Sequence, residues 1–397
     1  MLKNKTILLG ITGGIAAYKA AALASSLVKL NANVKVIMTK NATRFITPLT
    51  LEHLTNNKCI VDIFEDTNSN NIEHISLANQ ADLFIIAPAT ANICSKLAYG
   101  VCDDMLTTTA LVCTCEKIIA PAMNSNMFNN PITQNNLNIL NSYGYTIIPP
   151  DYGKLACGIT GIGKLPEPET IIGYILKSIA YTHDFKNKNI LVTAGPTIEK
   201  LDPVRFITNH SSGKMGYAIC NSAMLRGGNV TLITGPTNIK KPLFTNIIEV
   251  STSNEMFEAV KKEYIKADYI FKVAAVCDYT PETYCNNKIK KESNNLNINL
   301  KPTTDILKYL GENRKDNQFI CGFSMETENT IENSKNKLIN KNIDMICANN
   351  LKTKGAGFKS DTNVVTIITK EQIKELPIMS KDKVANEILN QALKLKK

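Results

Sequence analysis

A chain of 397 residues, 44% apolar and 20% charged, is too long for one ordinary core and too apolar for disorder, so two folded domains are expected. Its net charge of +10 is spread along the chain without an aromatic-rich RNA motif, which argues against nucleic acid and leaves anionic small substrates. No apolar run approaches the ~20 residues that span a bilayer. The N-terminal apolar run stops at Gly13-Gly14 with no cleavage site, so it reads as a strand, not a signal peptide.

Apolar, β-rich runs alternate with helical stretches throughout. Strands are predicted at 6–11, 34–38, 83–87, 117–120 and 145–148. A second series follows at 190–194, 230–234, 247–250, 269–276, 319–323, 344–348 and 364–369. Near-continuous apolar strands separated by helices imply buried parallel sheets, hence an α/β doubly wound fold. Two strands lead through a Gly-containing turn towards a helix, at Gly13-Gly14 and at Ala194-Gly195-Pro196, so two Rossmann-like units are expected. The polar stretch 181–189 reads as the linker, giving domains 1–187 and 188–397. The Asn/Ser/Thr run 67–71 reads as a loop tip. The eleven cysteines form no Cys-x-x-Cys pair and the four histidines no zinc spacing, so reduced thiols in a cytoplasmic protein are expected, without a protein-ligated metal.

The first half carries five pieces that could bear chemistry. Gly13-Gly14 after a strand lets backbone N–H groups approach a phosphate, although the dinucleotide spacing G-x-G-x-x-G is absent. Ala87-Pro88-Ala89-Thr90-Ala91-Asn92 ends a strand in small and polar residues. Asp103-Asp104 precedes Met105 as a helix start would. His74 and the turn Pro121-Ala122-Met123-Asn124 each have a plain structural reading when taken singly. Leu155 to Pro168 reads as a glycine-rich loop holding Cys157, a thiol better suited to proton transfer than a buried one.

In the second half, Asp202-Pro203-Val204-Arg205-Phe206-Ile207-Thr208-Asn209-His210-Ser211-Ser212-Gly213-Lys214-Met215-Gly216 leads into a helix. Its Ser-Ser-Gly-Lys turn could cradle phosphate but is not a Walker A loop. Asp278 follows an apolar strand, where ligand contacts gather. Lys288-Ile289-Lys290-Lys291 is either a solvated run or a loop that closes over phosphates.

Taken together and in this order, residues 5–175 resemble the flavoprotein family of phosphopantothenoylcysteine decarboxylases. The resemblance implies a flavodoxin-like three-layer αβα fold. It also implies FMN held by Gly13, Gly14, Ile15, Thr39, Pro88, Ala89, Thr90, Asn92 and Thr107. His74 falls at the active-site histidine, Asn124 in the substrate motif and Cys157 at the proton donor. A cysteine carboxylate loses CO₂ only if a neighbouring carbon can accept electrons. FMN supplies that by oxidising the carbon that bears sulfur, and Cys157 then supplies a proton. Lys164-Leu165 stands where the family has Arg-Met, which keeps the charge and loses the bidentate fork.

Residues 188–380 resemble phosphopantothenate–cysteine ligase. The resemblance implies that CTP activates 4'-phosphopantothenate as an acyl-cytidylate, from which the amine of cysteine displaces CMP. Arg205 and Asn209 would hold the acid and its acyl intermediate, and Lys288 would assist the second step. Ser211, Ser212, Gly213 and Lys214 would bind substrate or nucleotide phosphate. Asp278, Thr303, Thr304, Asp305, Ile306, Phe323, Lys337 and Lys341 fall at nucleotide contacts, and Mg²⁺ would offset the triphosphate charge. Cys277 and Ser324-Met325 stand where the family has Ala and Ala-Ala. Both halves in one chain resemble the bifunctional bacterial coenzyme A enzymes, which implies a trimer-based homo-oligomer, up to a dodecamer, with ligase halves paired. Rival readings are another flavoprotein activity, such as a flavin prenyltransferase or peptidyl-cysteine decarboxylase, and a non-catalytic regulatory subunit. The attached ligase half argues against the first. His74, Asn124 and Cys157 together argue against the second.

Overall fold

The structure is a computed structural model that describes residues 1–64, 72–290, 296–326, 328–350 and 360–396. The expected loop tip 67–71 and Lys291 lie outside the described residues. The chain divides into two compact units, Met1–Tyr181 and Thr182–Lys397.

In chain order the first unit holds β1 Thr6–Ile11, α1 Lys19–Lys29, β2 Asn33–Met38, α2 Pro48–Thr55, β3 Cys59–Ile60 and α3 Glu73–Gln80. It continues with β4 Leu83–Ala89, α4 Ala91–Tyr99, α5 Met105–Val112, β5 Glu116–Pro121 and α6 Ser125–Asn129. It closes with α7 Pro131–Ser142, β6 Thr146–Ile147, β7 Asp151–Lys154, β8 Thr160–Lys164 and α8 Pro168–Ile179. The sheet runs β3-β2-β1-β4-β5-β6 and every pair in it is parallel. The five predicted strands lie in the flavodoxin-like order 2-1-3-4-5. The two-residue β3, which no apolar run announced, adds an edge strand that completes the Rossmann order. Successive side chains of β1 point to opposite faces. Ile7, Leu9 and Ile11 join the core beneath α1 and α8, and Leu8 joins the core on the other face. All seven residues of β4 are buried, as a central parallel strand requires. Each such Leu or Ile contributes roughly 1.5–3 kcal/mol by leaving water.

The second unit holds β9 Asn189–Ala194, β10 Ile198–Lys200, β11 Phe206–Thr208, α9 Lys214–Leu225, β12 Asn229–Thr234, β13 Asn246–Glu249 and α10 Ser253–Glu263. Then come β14 Tyr269–Lys272, β15 Tyr279–Pro281, β16 Leu300–Pro302, α11 Ile306–Glu312, β17 Phe319–Glu326 and α12 Thr330–Asn340. The unit ends with β18 Met345–Asn350, β19 Thr362–Asn363, β20 Val365–Thr369, β21 Ile373–Glu375, β22 Met379–Ser380 and α13 Lys381–Leu395. Its main sheet runs β13-β12-β9-β14-β17-β18-β20-β21, parallel as far as β18 and antiparallel beyond. The strand predicted at 269–276 leaves the ladder at Lys272. There the hydroxyl of Thr193 accepts the N–H groups of Val273 and Ala274, at 3.1 and 3.2 Å, and turns the chain out of the sheet. The stretch expected as linker is partly core. Phe185 is fully buried against Tyr269, and Asp184 pairs with Arg226 at 2.5 Å. Among the described residues no helix is long and apolar enough to cross a membrane.

Candidate active sites

Ligands of doubly wound sheets sit beyond the carboxyl ends of the strands, where the strand order reverses. In the first unit that point lies between β1 and β4, and a cavity of about 610 Å³ opens there. Gly14 and Ile15 follow β1, Pro88 and Thr90 follow β4, and Met123 and Asn124 follow β5. Thr12 binds two of these turns together. Its buried hydroxyl donates to the Pro88 carbonyl at 2.7 Å and accepts the Thr90 N–H at 3.1 Å. Gly13 is obligatory, because a Cβ there would come within 2.4 Å of the Asn41 Cβ.

The remaining wall is a hairpin. Strands β7 and β8 pair antiparallel, and Cys157 sits in the turn between them. The expected glycine-rich loop is therefore half sheet, and the thiol stands on an ordered tip. Met123 N–H donates to the Gly163 carbonyl at 3.0 Å. Gly163 has φ +132°, and a Cβ there would lie 2.2 Å from the Met123 oxygen. That close approach brings Asn124 to the thiol: its Nδ2 donates to the Cys157 sulfur at 3.4 Å. The thiol is held below its ordinary pKa, first by the Ile159 N–H and then by Asn124. Lys19 and Lys164, both lining the cavity, pair with one oxygen of Glu167 at 3.1 and 3.0 Å. Two cations against one carboxylate leave a positive rim suited to an anionic ligand.

In the second unit a cavity of about 450 Å³ opens beyond β9, β14 and β17. Gly195, Asn209, the Ser211–Gly213 turn, Lys214, Asp278 and Phe323 line it, with Ser324 and Met325. Asn209 is anchored from behind, its Nδ2 donating to the carbonyls of Ala275 and Val276 at 3.1 Å each. Thr303 ties the adjoining turn to Asp278: its N–H donates to the Asp278 carbonyl at 2.9 Å and its hydroxyl to the Cys277 carbonyl at 2.7 Å. Asp305 caps α11 and pairs with Lys341 at 2.8 Å; Lys337 pairs with Glu326 at 2.5 Å.

The family described as "Flavoprotein" matches residues 1–180, and that described as "DNA/pantothenate metabolism flavoprotein C-terminal domain" matches 185–395. The protein named "Coenzyme A biosynthesis bifunctional protein CoaBC" of Bacillus subtilis (strain 168) is 47% identical over 401 residues, 100% of this chain and 98% of that protein. The protein of the same name from Borreliella burgdorferi is 46% identical over 391 residues, 98% of this chain and 99% of that one. The chain belongs to this bifunctional coenzyme A biosynthesis family. It is accordingly a two-activity enzyme, a flavoprotein decarboxylase joined to a ligase. A protein from an unknown prokaryotic organism, named "Cysteine/Cysteine sulfinic acid decarboxylase", is 42% identical over 356 residues, 88% of this chain and 99% of that one.

Within the decarboxylase half, the cavity gathers Gly14, Ile15, Pro88, Thr90, Asn124 and Cys157 among the residues expected from sequence. Gly13, Thr39, Ala89 and Asn92 lie next to it in the chain or in the sheet but do not line it. Thr107 is buried and completes a capping box with Asp104, the structural alternative for that stretch. His74 is half-buried in the first turn of α3, away from the lining. In the ligase half, the cavity gathers Asn209, Ser211, Ser212, Gly213, Lys214, Asp278 and Phe323 of the residues expected from sequence; Arg205 and Lys288 are exposed and do not line it, and neither do Thr303, Thr304, Asp305, Ile306, Lys337 or Lys341.

Two residues escaped the sequence reading. Asp202 is 1% exposed and its carboxylate accepts the N–H groups of Val204 and Arg205 at 2.7 Å and of Ile289 at 3.1 Å. It thereby holds the Arg205 turn against the Lys288 segment. Burial works to raise its pKa, and these donors outweigh it and hold it low. Lys272 ends β14 among Asp305, Lys341, Asp278 and Lys337, and burial first of all pushes it down to about 8. A lysine closing an otherwise apolar strand was the available signal.

Proposed function

We propose that the second unit joins 4'-phosphopantothenate to cysteine at the expense of CTP, and that the first unit decarboxylates the product to 4'-phosphopantetheine with FMN. The observation that carries the reading is the Asn124–Cys157 contact, which sets an acidified thiol on the wall of a cavity at the switch point of the sheet. The cavity suits a flavin. Ile15, Met123, Met127, Leu155 and Leu165 offer an apolar bed for a ring system, Gly14 lets the backbone approach, and Lys19 with Lys164 faces an anion. Gly14, Ile15, Pro88 and Thr90 would hold FMN there, and when bound it would supply a reversible two-electron acceptor for the substrate carbon that bears sulfur. The chain's own part is to hold the acid by the Asn124 amide, to exclude water with the β7–β8 hairpin, and to deliver the proton carried on the Cys157 sulfur.

In the ligase half the acid carboxylate attacks the α-phosphorus of CTP and pyrophosphate leaves. The amine of cysteine then attacks the acyl carbon, CMP leaves, and the amine proton passes to solvent. Asn209, fixed by two carbonyls, would orient the carboxylate. Lys337 and Lys341 would exchange their carboxylate partners for nucleotide phosphate, with Mg²⁺ carried on the triphosphate; among the described residues no three His, Cys, Asp or Glu side chains gather as a metal site. His74, Arg205 and Lys288 do not line the cavities of their own chain, and in the homo-oligomer that the family resemblance implies a second copy would supply them. Cys157→Ser tests the proton donor. Formation of phosphopantetheine should fall by at least ~100-fold while ligation stays at the parental rate. Parental decarboxylation by that variant would remove Cys157 from the reaction.

A further inference from the structure

Two cavities of the ligase half meet at one turn. Beside the cavity already described, a second of about 770 Å³ opens beyond β12 and β13, and the two share His210, Ser211, Ser212 and Lys214. Residues 210–214 are therefore the partition between them. Asn209 anchors it through the Ala275 and Val276 carbonyls, so His210 follows directly on the amide that would orient the carboxylate. The His210 side chain is exposed, and no hydrogen bond or ion pair with a described residue engages it. The other ionisable side chains of the two linings have partners of their own, Asp278 apart. Lys214 donates to Asp361 at 2.6 Å, Lys381 to the Ser360 carbonyl, and Lys241 to Glu249. Glu255 accepts the N–H groups of Ser251 and Thr252 at 2.6 and 3.3 Å, and the Tyr217 hydroxyl accepts that of Thr237 at 3.1 Å. Asp278 lines the ligase cavity alone. Of the two ionisable groups common to both cavities, Lys214 and His210, only the imidazole is of a kind that ordinarily takes up and releases a proton near neutral pH.

Amide formation needs such a group. Cysteine arrives as an ammonium, which must lose one proton before its lone pair can attack the acyl carbon and a second once the C–N bond has formed. The bond from the acyl carbon to the CMP oxygen breaks, and CMP leaves with the electron pair. We propose that His210 is the general base of this second half-reaction: its imidazole accepts the first proton from the cysteine amine and passes it to solvent. The second proton goes to solvent directly. The inference rests on the reading of the smaller cavity as the ligase site. The position suits the role, because an amine that enters from the larger cavity crosses the partition to reach the acid that Asn209 orients.

The test is ligation by the full chain carrying His210→Gln, with each half-reaction followed in a single turnover. Pyrophosphate release from CTP and phosphopantothenate is read before any amine is added, and CMP release afterwards. Pyrophosphate release should stay at the parental rate. CMP release with cysteine at neutral pH should fall about 100-fold or more, as loss of a general base does. Two further readouts separate a base from a merely structural residue. The rate of the variant with cysteine should climb about tenfold per pH unit while most of the amine is still protonated. Hydroxylamine, which is already unprotonated at neutral pH, should release CMP at the parental rate as the acyl hydroxamate forms. A rate with cysteine within about twofold of the parental one, an equal loss with cysteine and hydroxylamine, or a loss of pyrophosphate release overturns the proposal. Parental protein that releases no pyrophosphate would instead remove the ligase reading beneath it.

Discussion

The two ends of the Asn124 side chain do different work. Its carbonyl oxygen accepts the N–H of Asn126 at 2.8 Å and starts α6, and its amide nitrogen donates to the Cys157 sulfur. The cap fixes the rotamer, so the donor is aimed before any ligand arrives. A hydrogen bond to a thiolate favours the charged form. Asn124→Ala removes the second-largest of the donors that hold the thiol down, so the pH at which Cys157 becomes half-reactive towards alkylation should rise towards that of an ordinary cysteine. Peptide mass spectrometry can follow Cys157 apart from exposed Cys102 and Cys285. An unchanged profile would mean that backbone N–H groups set the thiol without Asn124. Asn124 and Cys157 were both legible in the sequence as members of a recognisable pattern. Their contact was not, because it spans 33 residues and depends on Gly163 admitting the Met123 carbonyl.

At the scale of elements, long apolar strands could be read and short polar ones could not. The run at 83–87 declares itself because β4 is buried on both faces. The β7–β8 hairpin hides, because Gly153, Gly161 and Gly163 carry no strand signal. Two of them are glycine for a non-local reason: a Cβ at 161 would meet the Ser125 hydroxyl at 2.3 Å, and one at 163 the Met123 carbonyl. Pairs β10–β11 and β15–β16 are three residues per strand and fall below any periodicity argument. Asp202 shows what such short elements need. Its carboxylate replaces the ladder by collecting three N–H groups from two segments. Asp202→Asn turns one acceptor oxygen into a donor, so the Arg205 turn and the Lys288 segment should separate. Ligation should drop roughly 10- to 100-fold, the range expected when a positioning contact slips. Decarboxylation of supplied phosphopantothenoylcysteine should not change. Equal loss of both activities would point to general misfolding.

At the scale of the molecule, composition and two Gly-containing strand–helix turns sufficed to expect two Rossmann-like units. The place where they divide depends on one aromatic side chain. Phe185 sits in a stretch that reads as a polar linker, yet its ring is fully buried in the second unit, 5.1 Å from Tyr269 and under the Arg226 guanidinium. A fragment 182–397 should therefore fold with a higher melting temperature than a fragment 188–397. The shorter one forfeits roughly 3–5 kcal/mol with the lost phenyl ring and leaves Arg226 without Asp184. Equal melting temperatures would show that Phe185 is spectator to the fold.

The most direct test of the two-step reaction is mass spectrometry of the products that full-length protein makes from 4'-phosphopantothenate, cysteine and CTP. Phosphopantetheine, CMP, pyrophosphate and CO₂ in equal amounts are predicted. A reaction that stops at phosphopantothenoylcysteine, or one that decarboxylates free cysteine and ignores the acid, would contradict it.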